Sequence, residues 1–272
     1  MDTHLVRTVP RLLRRALRFL LPADCTTCGT ALTTDHVPLF CNPCWKAITP
    51  LTLARCSQCD RPLLSPAALT YTPSHRCHHC LVRPPAYEKA WTLFPYLPPL
   101  QDAICLFKYR GTVSLAKPLA DLMIATLPHP IETDIVMPVP LHPARLRERE
   151  FNQALLLADR LAHHLARPLV YTNLERIVPS DPQSTLSRKE RLKNLRRAFA
   201  VRHPGKVEGK RILLIDDVFT TGTTVNECAK ALRKAGAHAV SVLTLARTVE
   251  SSVIPDRILA ERHQGLRALL HG

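Results

Sequence analysis

One stretch of the chain, residues 211–224, restricts the possible fold more than any other part of the sequence. It reads RILLIDDVFTTGTT: an apolar run, two adjacent aspartates, and a loop of hydroxyl residues around one glycine. A continuous apolar run of this kind is typical of a strand buried on both faces of a parallel sheet. Residues 224–236 then show apolar residues at helical spacing and end in Gly236. The pattern predicts a strand, a loop and a helix within an α/β fold.

The sequence around this stretch continues the alternation of strands and helices. We expect strands at 133–140, 168–172 and 238–247, and a helix at 152–166 that is rich in leucine and alanine. Strands that alternate with helices form parallel sheets with crossover connections. The predicted architecture is therefore a parallel sheet flanked by helices, in a domain that covers residues 90–250.

The two acids lie where such a sheet binds its ligands, beyond the carboxyl end of a strand. Amides at a helix N-terminus favour phosphate, and Gly222 lets the backbone approach an anion closely. The loop lacks the lysine of a G-x-x-x-x-G-K-[ST] triphosphate loop, so it suits a single phosphate. Because carboxylates repel phosphate, Asp216 and Asp217 suit sugar hydroxyls or hydrated Mg²⁺ instead. A sugar phosphate meets both demands.

Residues 212–224 resemble the thirteen-residue signature of type I phosphoribosyltransferases, which use 5-phosphoribosyl-1-pyrophosphate (PRPP) together with Mg²⁺. The resemblance implies that Asp216 and Asp217 contact the ribose 2′ and 3′ hydroxyls. It implies that the 5′-phosphate is bound by Thr220, Thr221, Gly222, Thr223 and Thr224. The pyrophosphate loop of these enzymes corresponds to residues 137–154. The candidates for diphosphate contact there are Arg145, Arg147 and Arg149, with a solvated basic helix start as the alternative.

Eight of the ten cysteines form four C-x-x-C pairs in the first part of the chain. Two-residue spacing lets two thiolates bind one ion, and two such pairs complete a closed, structural zinc site. Nearest-neighbour pairing is the simplest arrangement, while an interleaved cross-brace and redox dithiols are the alternatives. The nearby histidines are expected to be bystanders. The ligand candidates are Cys25, Cys28, Cys41 and Cys44 for one zinc, and Cys56, Cys59, Cys77 and Cys80 for the other.

The similarity to known proteins extends beyond the signature. Four C-x-x-C pairs precede LFKYRG (106–111), PVPLHPARLREREFNQ (138–153), QSTLSRKERLKN (183–194) and the signature, in that order. This order resembles the ComF family, phosphoribosyltransferase-like competence proteins with a double zinc ribbon in front. The resemblance implies a role in natural transformation: handling incoming single-stranded DNA at the inner membrane, with a helicase-like partner. One residue departs from the family pattern: Glu150 stands where the family usually has glycine. A carboxylate beside Arg149 would weaken the attraction of this arginine for a diphosphate.

The charge of the chain is compatible with a nucleic-acid partner. A formal net charge of +15 favours polyanions, although a basic surface can also serve solubility alone. Residues 187–202 contain seven lysines and arginines and one acid. Such a segment could follow a phosphate backbone, close over PRPP, or form a solvated face. The candidate DNA contacts are Arg188, Lys189, Arg191, Lys193, Arg196 and Arg197.

The remaining segments complete the predicted organisation of the chain. Residues 1–24 are basic and amphipathic, which suits a membrane-surface or partner helix, or a helix packed on its own domain. The zinc ribbons cover 25–83, and 251–272 form a C-terminal tail. No apolar run reaches the roughly 18 residues of a membrane span. We expect a cytoplasmic protein that acts at the inner face of the inner membrane.

Three functions remain open on the sequence. The first is a DNA-handling competence factor that keeps a PRPP-type site. The second is a working Mg²⁺-dependent phosphoribosyltransferase of nucleotide metabolism, a pentosyl-transfer enzyme. The third is a regulator that senses PRPP and uses the zinc module as its output. The sequence reveals neither a nucleophile nor a segment built to recognise a nucleobase, so whether the chain is an enzyme stays undecided.

Overall fold

The computed structural model describes residues 24–32, 37–63, 74–128, 130–177 and 198–249. The chain divides into two compact units, residues 1–47 and 48–272. The predicted N-terminal amphipathic segment, the C-terminal tail and the six candidate DNA contacts between 188 and 197 lie outside the described residues. No helix in the described segments is long and apolar enough to cross a bilayer.

In the described part of the second unit, four parallel strands form the main sheet in the order β1–β6–β5–β2. They are β1 (Lys89–Pro95), β2 (Ile135–Pro138), β5 (Arg211–Phe219) and β6 (Ala239–Arg247). The apolar run of β5 is fully buried, as a strand between two neighbours and two covered faces requires. A separate antiparallel pair consists of β3 (Leu174–Arg176) and β4 (Phe199–Val201).

Helices flank this sheet. They are α3 (Leu100–Tyr109), α4 (Ala116–Ala125), α5 (Pro143–Arg149), α6 (Gln153–His164) and α7 (Thr223–Lys234). Two short helices, α1 (Asn42–Lys46) and α2 (His78–Val82), each begin next to a cysteine of a C-x-x-C pair. Single 3-10 turns lie at Val113–Leu115 and Pro204–Lys206. The predicted α/β class, a parallel sheet flanked by helices that follows a cysteine-rich module in the sequence, is confirmed.

Most of the predicted elements are present, with boundaries shifted by one or two residues. The helix predicted at 224–236 is α7, and it buries Val225, Cys228, Ala229 and Leu232, the four residues at helical spacing. One prediction was wrong in part. Residues 168–172 form only an isolated bridge from Leu169 to Val136 of β2, because neither Pro168 nor Pro138 has an N–H with which to extend the ladder.

Candidate ligand site and metal centres

The adjacent acids lie near the carboxyl end of β5, and their neighbours differ because successive strand residues face opposite sides. Asp217 is buried, and its Oδ1 lies 2.7 Å from Nζ of Lys108 on α3. Asp216 is partly buried, and its Oδ1 accepts a hydrogen bond of 2.9 Å from the Asp217 amide. Among the described residues, Asp217 therefore has a positively charged partner in contact and Asp216 has none.

Lys108 is a site residue that the sequence reasoning missed. Burial opposes the charge of its ammonium group, but Asp217 and then Asp216 keep its pKa above the ordinary value. The residue lies in LFKYRG, a stretch that carried the family resemblance without any assigned role. Its position in that motif was the available signal. The ammonium group thus contacts the carboxylate that the resemblance assigns to the sugar.

For the carboxyl group of Asp216, burial outweighs the charge of the nearby Lys108. Burial raises the pKa of this carboxyl group to about 7, the charge of Asp217 adds to the rise, and Lys108 opposes it. The folded chain therefore holds a proton that the unfolded chain releases near pH 4. Since the folded state binds more protons in this window, Asp216 lowers the stability of the protein as the pH rises from about 4 to about 7.

We expect Asp216→Asn to stabilise the protein at pH 8 and to leave its stability almost unchanged at pH 4. The gain at pH 8 should be on the order of 1–2 kcal/mol, because the amide carries no charge to desolvate and keeps the acceptor for the Asp217 amide. Urea unfolding across this pH range measures it. Asp121→Asn, at an exposed position paired with Lys117, is the matched control. An equal gain in stability at pH 4 and pH 8 would contradict a raised pKa of Asp216 in the folded protein.

The loop after β5 has the geometry of an anion cradle. We call residues 220–224 the phosphate loop. Gly222 has φ of 76°, and a Cβ there would lie 2.4 Å from Cζ of Phe219, so only glycine fits. The hydroxyls of Thr221 and Thr223 are 2.8 Å apart, and α7 begins at Thr223. The first amides of α7 have no acceptor within the helix, and they point out of its N-terminus.

A basic cleft of about 250 Å³ adjoins the acid pair through Lys108. Its lining residues are Lys108, Tyr109, Arg110, Gly111, Glu148, Arg149 and Glu150. Of the three predicted diphosphate contacts, only Arg149 lies in this cleft, with its guanidinium 4.9 Å from the ring centre of Tyr109. Arg145 pairs with Glu148 at 3.0 Å, and Arg147 is exposed on the same short helix.

Glu150, the residue that departs from the family pattern, ends α5 in the left-handed region with φ of 65° and ψ of −11°. Glycine adopts this conformation freely, whereas a residue with a side chain is strained there by roughly 1–2 kcal/mol. The backbone therefore gives a physical reason for the glycine of the family. In this chain the position adds a second carboxylate, besides that of Glu148, to a cleft lined by three cationic side chains.

The eight paired cysteines form two groups, and each group joins nearest neighbours along the chain. The ligand sulfurs of Cys25, Cys28, Cys41 and Cys44 lie within 4.8 Å of one another, as do those of Cys56, Cys59, Cys77 and Cys80. We call these groups the first and the second cluster. A tetrahedral ion with Zn–S bonds of 2.3 Å separates its sulfurs by about 3.8 Å. The Sγ–Sγ distances of 3.7 Å for Cys28–Cys41 and Cys59–Cys77 fit zinc, and the grouping confirms the predicted pairing.

The second cluster belongs to the core of the α/β unit. Asp60, which follows Cys59 with φ of 61°, is only 6% exposed. Its Oδ2 accepts hydrogen bonds from the amide and the hydroxyl of Thr92 on β1, at 2.6 and 2.8 Å. At the end of β6, Arg247 donates from Nη1 to the Cys59 carbonyl oxygen at 2.6 Å. The cluster is thus held directly against two strands of the sheet.

Comparison with known families agrees with this geometry. Residues 152–262 match the model of the phosphoribosyl transferase domain, and residues 16–81 match the model of the double zinc ribbon domain. Fold and site therefore define a type I phosphoribosyltransferase-like protein that carries two structural zinc sites of four cysteines each.

Curated relatives specify the family further. The chain is 34% identical to DNA utilization protein YhgH of Escherichia coli K12 over 222 residues, which cover 76% of this chain and 97% of that protein. It is 32% identical to competence protein F of Haemophilus influenzae over 215 residues, 76% of this chain and 90% of that protein. Competence protein ComFC of Bacillus subtilis is 33% identical over 163 residues, 58% and 63% of the two chains. The chain belongs to the ComF family.

Proposed function

We propose that this protein handles incoming single-stranded DNA during natural transformation and carries a binding site for PRPP or a related sugar phosphate. The names of its relatives, a DNA utilization protein and two competence proteins, support the DNA role. The arrangement of the acid pair beside the phosphate loop supports the sugar-phosphate site, and it is the single observation on which that part depends.

In the proposed complex, the amides and hydroxyls of the phosphate loop bind the 5′-phosphate at the N-terminus of α7. Asp216 and Asp217 accept hydrogen bonds from the ribose hydroxyls. The Lys108 ammonium, now 2.7 Å from Asp217, must move away for the diol to bind. The basic cleft that Lys108 lines is the nearest place for a diphosphate, where Lys108, Arg110 and Arg149 would balance its charge.

Glu150→Gln should raise the affinity for inorganic pyrophosphate about three- to fivefold, because it removes one like charge from the partly exposed cleft. The substitution leaves a side chain at the same left-handed position, so it isolates charge from backbone strain. Isothermal titration of the full-length protein measures the change. Glu208→Gln, at an exposed position outside the cleft, should bind as the unaltered protein does. Unchanged pyrophosphate affinity in the Glu150→Gln variant would show that the diphosphate does not bind in this cleft.

For the DNA role, we propose that the basic residues between 188 and 197 contact the phosphate backbone, with the zinc ribbons as a second surface for DNA or a partner. A helicase-like protein is the proposed partner, and the inner face of the inner membrane is the proposed location. Binding through basic side chains should fall steeply as salt rises. Fluorescence anisotropy with labelled single-stranded DNA tests this, and Asp217→Asn should leave it intact if the two sites are independent.

A working Mg²⁺-dependent phosphoribosyltransferase is the second candidate. The basic cleft beside the acid pair favours it, because pyrophosphate leaving PRPP would need cationic neighbours. Glu150 opposes it. Pyrophosphate release from PRPP that requires one particular acceptor would establish transfer. Binding of PRPP without turnover, with a change in DNA or partner affinity, would instead indicate a sensor.

A thermal-shift screen tests the sugar-phosphate site itself. PRPP, ribose 5-phosphate and nucleotides are compared with and without Mg²⁺ on the full-length protein. A ligand that binds only the folded state raises the unfolding temperature by mass action. We expect PRPP with Mg²⁺ to give a rise that the Asp216→Asn/Asp217→Asn double variant loses and Asp121→Asn keeps. An equal rise in the double variant, or none in the unaltered protein, would overturn the assignment.

A further inference from the structure

Arg247 contacts both the second cluster and the residue that underlies the phosphate loop. It ends β6 and is only 4% exposed. Its Nη1 donates to the carbonyl oxygen of Cys59, one of the four metal ligands, at 2.6 Å. On its other side, the guanidinium lies 4.5 Å from the ring centre of Phe219. One buried side chain therefore spans from the cysteine knuckle to the end of β5.

Phe219 in turn determines where the phosphate loop lies. Its ring fills the space directly beneath Gly222, the N-cap residue immediately before α7. Its carbonyl oxygen accepts a hydrogen bond of 3.1 Å from the amide of Thr248, next to Arg247. Phe219 and Arg247 are also partners in the register of β5 and β6. A shift of Arg247 would therefore move the Phe219 ring, against which the phosphate loop packs.

The charge and the hydrogen-bond acceptors of the second cluster explain why a cation can be buried beside it. A buried guanidinium is costly unless opposite charge and hydrogen-bond acceptors surround it. Four thiolates around one divalent ion carry net negative charge, and the Cys59 carbonyl oxygen is an acceptor. The carboxylate of Asp60, buried directly after Cys59, also favours the charged guanidinium. The position of the arginine therefore follows that of the knuckle around Cys59, whose four ligand sulfurs would be held together by one ion.

A second contact path runs parallel to this one. Gln58, inside the same knuckle, accepts a 2.8 Å hydrogen bond from the Ala90 amide, and the Tyr87 ring packs edge-on against Phe219 with centres 6.5 Å apart. The amide of Ala86 donates to Oδ1 of Asn226 in the first turn of α7, at 2.7 Å. The segment that follows the second cluster therefore also touches the helix whose N-terminus forms the loop.

We propose that Arg247 couples metal at the second cluster to the phosphate loop, so that zinc binding there orders the loop and strengthens its hold on a sugar phosphate. Arg247 is a positioning residue, since it acts through Phe219. The effect on loop order stands by itself, whereas the effect on affinity rests on the proposed function. By reciprocity, a sugar phosphate in the loop should slow the loss of zinc from the second cluster.

The test uses the full-length, zinc-loaded protein and Arg247→Met, which keeps an apolar stem over Phe219 and removes the hydrogen bond. Arg233→Met is the matched control, because Arg233 also donates to a backbone carbonyl oxygen, that of Ala237, away from the loop. Hydrogen exchange of residues 219–225 reports loop order, and a colorimetric chelator reports zinc release. In Arg247→Met we expect both to quicken by about tenfold, within the usual range of coupling between sites. Arg233→Met should change neither.

Arg247→Lys is a second variant in case Arg247→Met does not fold. It keeps the positive charge and loses the planar guanidinium, so loop exchange and zinc release should quicken to an intermediate extent. Unchanged loop exchange in a folded Arg247→Met protein overturns the coupling. Ribose 5-phosphate in excess should slow zinc release from the unaltered protein and not from Arg247→Met, a result that a purely structural role would not produce. If loop exchange responds to Arg247→Met but ribose 5-phosphate does not bind the unaltered protein, the coupling stands and the proposed function fails.

Discussion

Replacing Cys80 by serine will lower the unfolding temperature of the α/β unit by about 10 °C, through a loss of several kcal/mol. The thiols of the second cluster lie in one core with Tyr87, Phe219, Val225 and Cys228. Losing one ligand weakens the metal and leaves the knuckle against β1 and β6 without its support. Cys28→Ser, in the first cluster and the other compact unit, should shift this transition by no more than about 2 °C.

Scanning calorimetry on both variants, with zinc measured in each sample, makes this comparison. Each variant is expected to lose about one zinc per chain, since a site with three thiolates competes poorly for the ion. Chelation of the unaltered protein should reproduce the larger loss of stability. Equal shifts for Cys80→Ser and Cys28→Ser would show that the second cluster does not support the sheet.

Asp217→Asn and Lys108→Met will each destabilise the protein by about 3 kcal/mol, and the double variant will lose far less than the sum of the two. The reason is that each single change leaves a largely buried charge without its partner, whereas the double change removes both. The side chains of Lys108 and Asp217 are 17% and 11% exposed, so solvent cannot replace the missing partner fully. Urea unfolding of the four proteins measures the cycle. Strictly additive losses would contradict a direct ion pair.

The same variants separate the two roles of this pair in ligand binding. Lys108→Met should keep or tighten the binding of ribose 5-phosphate, because no ammonium group competes for Asp217. It should weaken the binding of PRPP, because the basic cleft loses a cation. Asp217→Asn should weaken both ligands. A loss of ribose 5-phosphate binding in Lys108→Met would mean that the lysine binds the sugar phosphate rather than occupying its place.

Local sequence patterns predicted the parts of this protein that are local in space. The strand, loop and helix of residues 211–236 are continuous in the chain, so their pattern shows directly in the sequence. The C-x-x-C pairs likewise indicated metal sites, but only the structure showed which pairs come together. Periodicity cannot show partners far apart in sequence, however: Lys108 meets Asp217, and Arg247 meets Cys59, only after the sheet brings α3 and β6 beside them. The resemblance identified Glu150 as unusual, but its left-handed backbone became visible only in the structure.

The central claim is that the acid pair and the phosphate loop together bind a phosphorylated pentose, and a crystal soaked with ribose 5-phosphate and Mg²⁺ tests it most directly. We expect the phosphate against the amides of Thr221 to Thr224, the ribose diol on Asp216 and Asp217, and the Lys108 ammonium moved out of contact with Asp217. An empty loop at saturating ligand, with Lys108 still paired to Asp217, would contradict it.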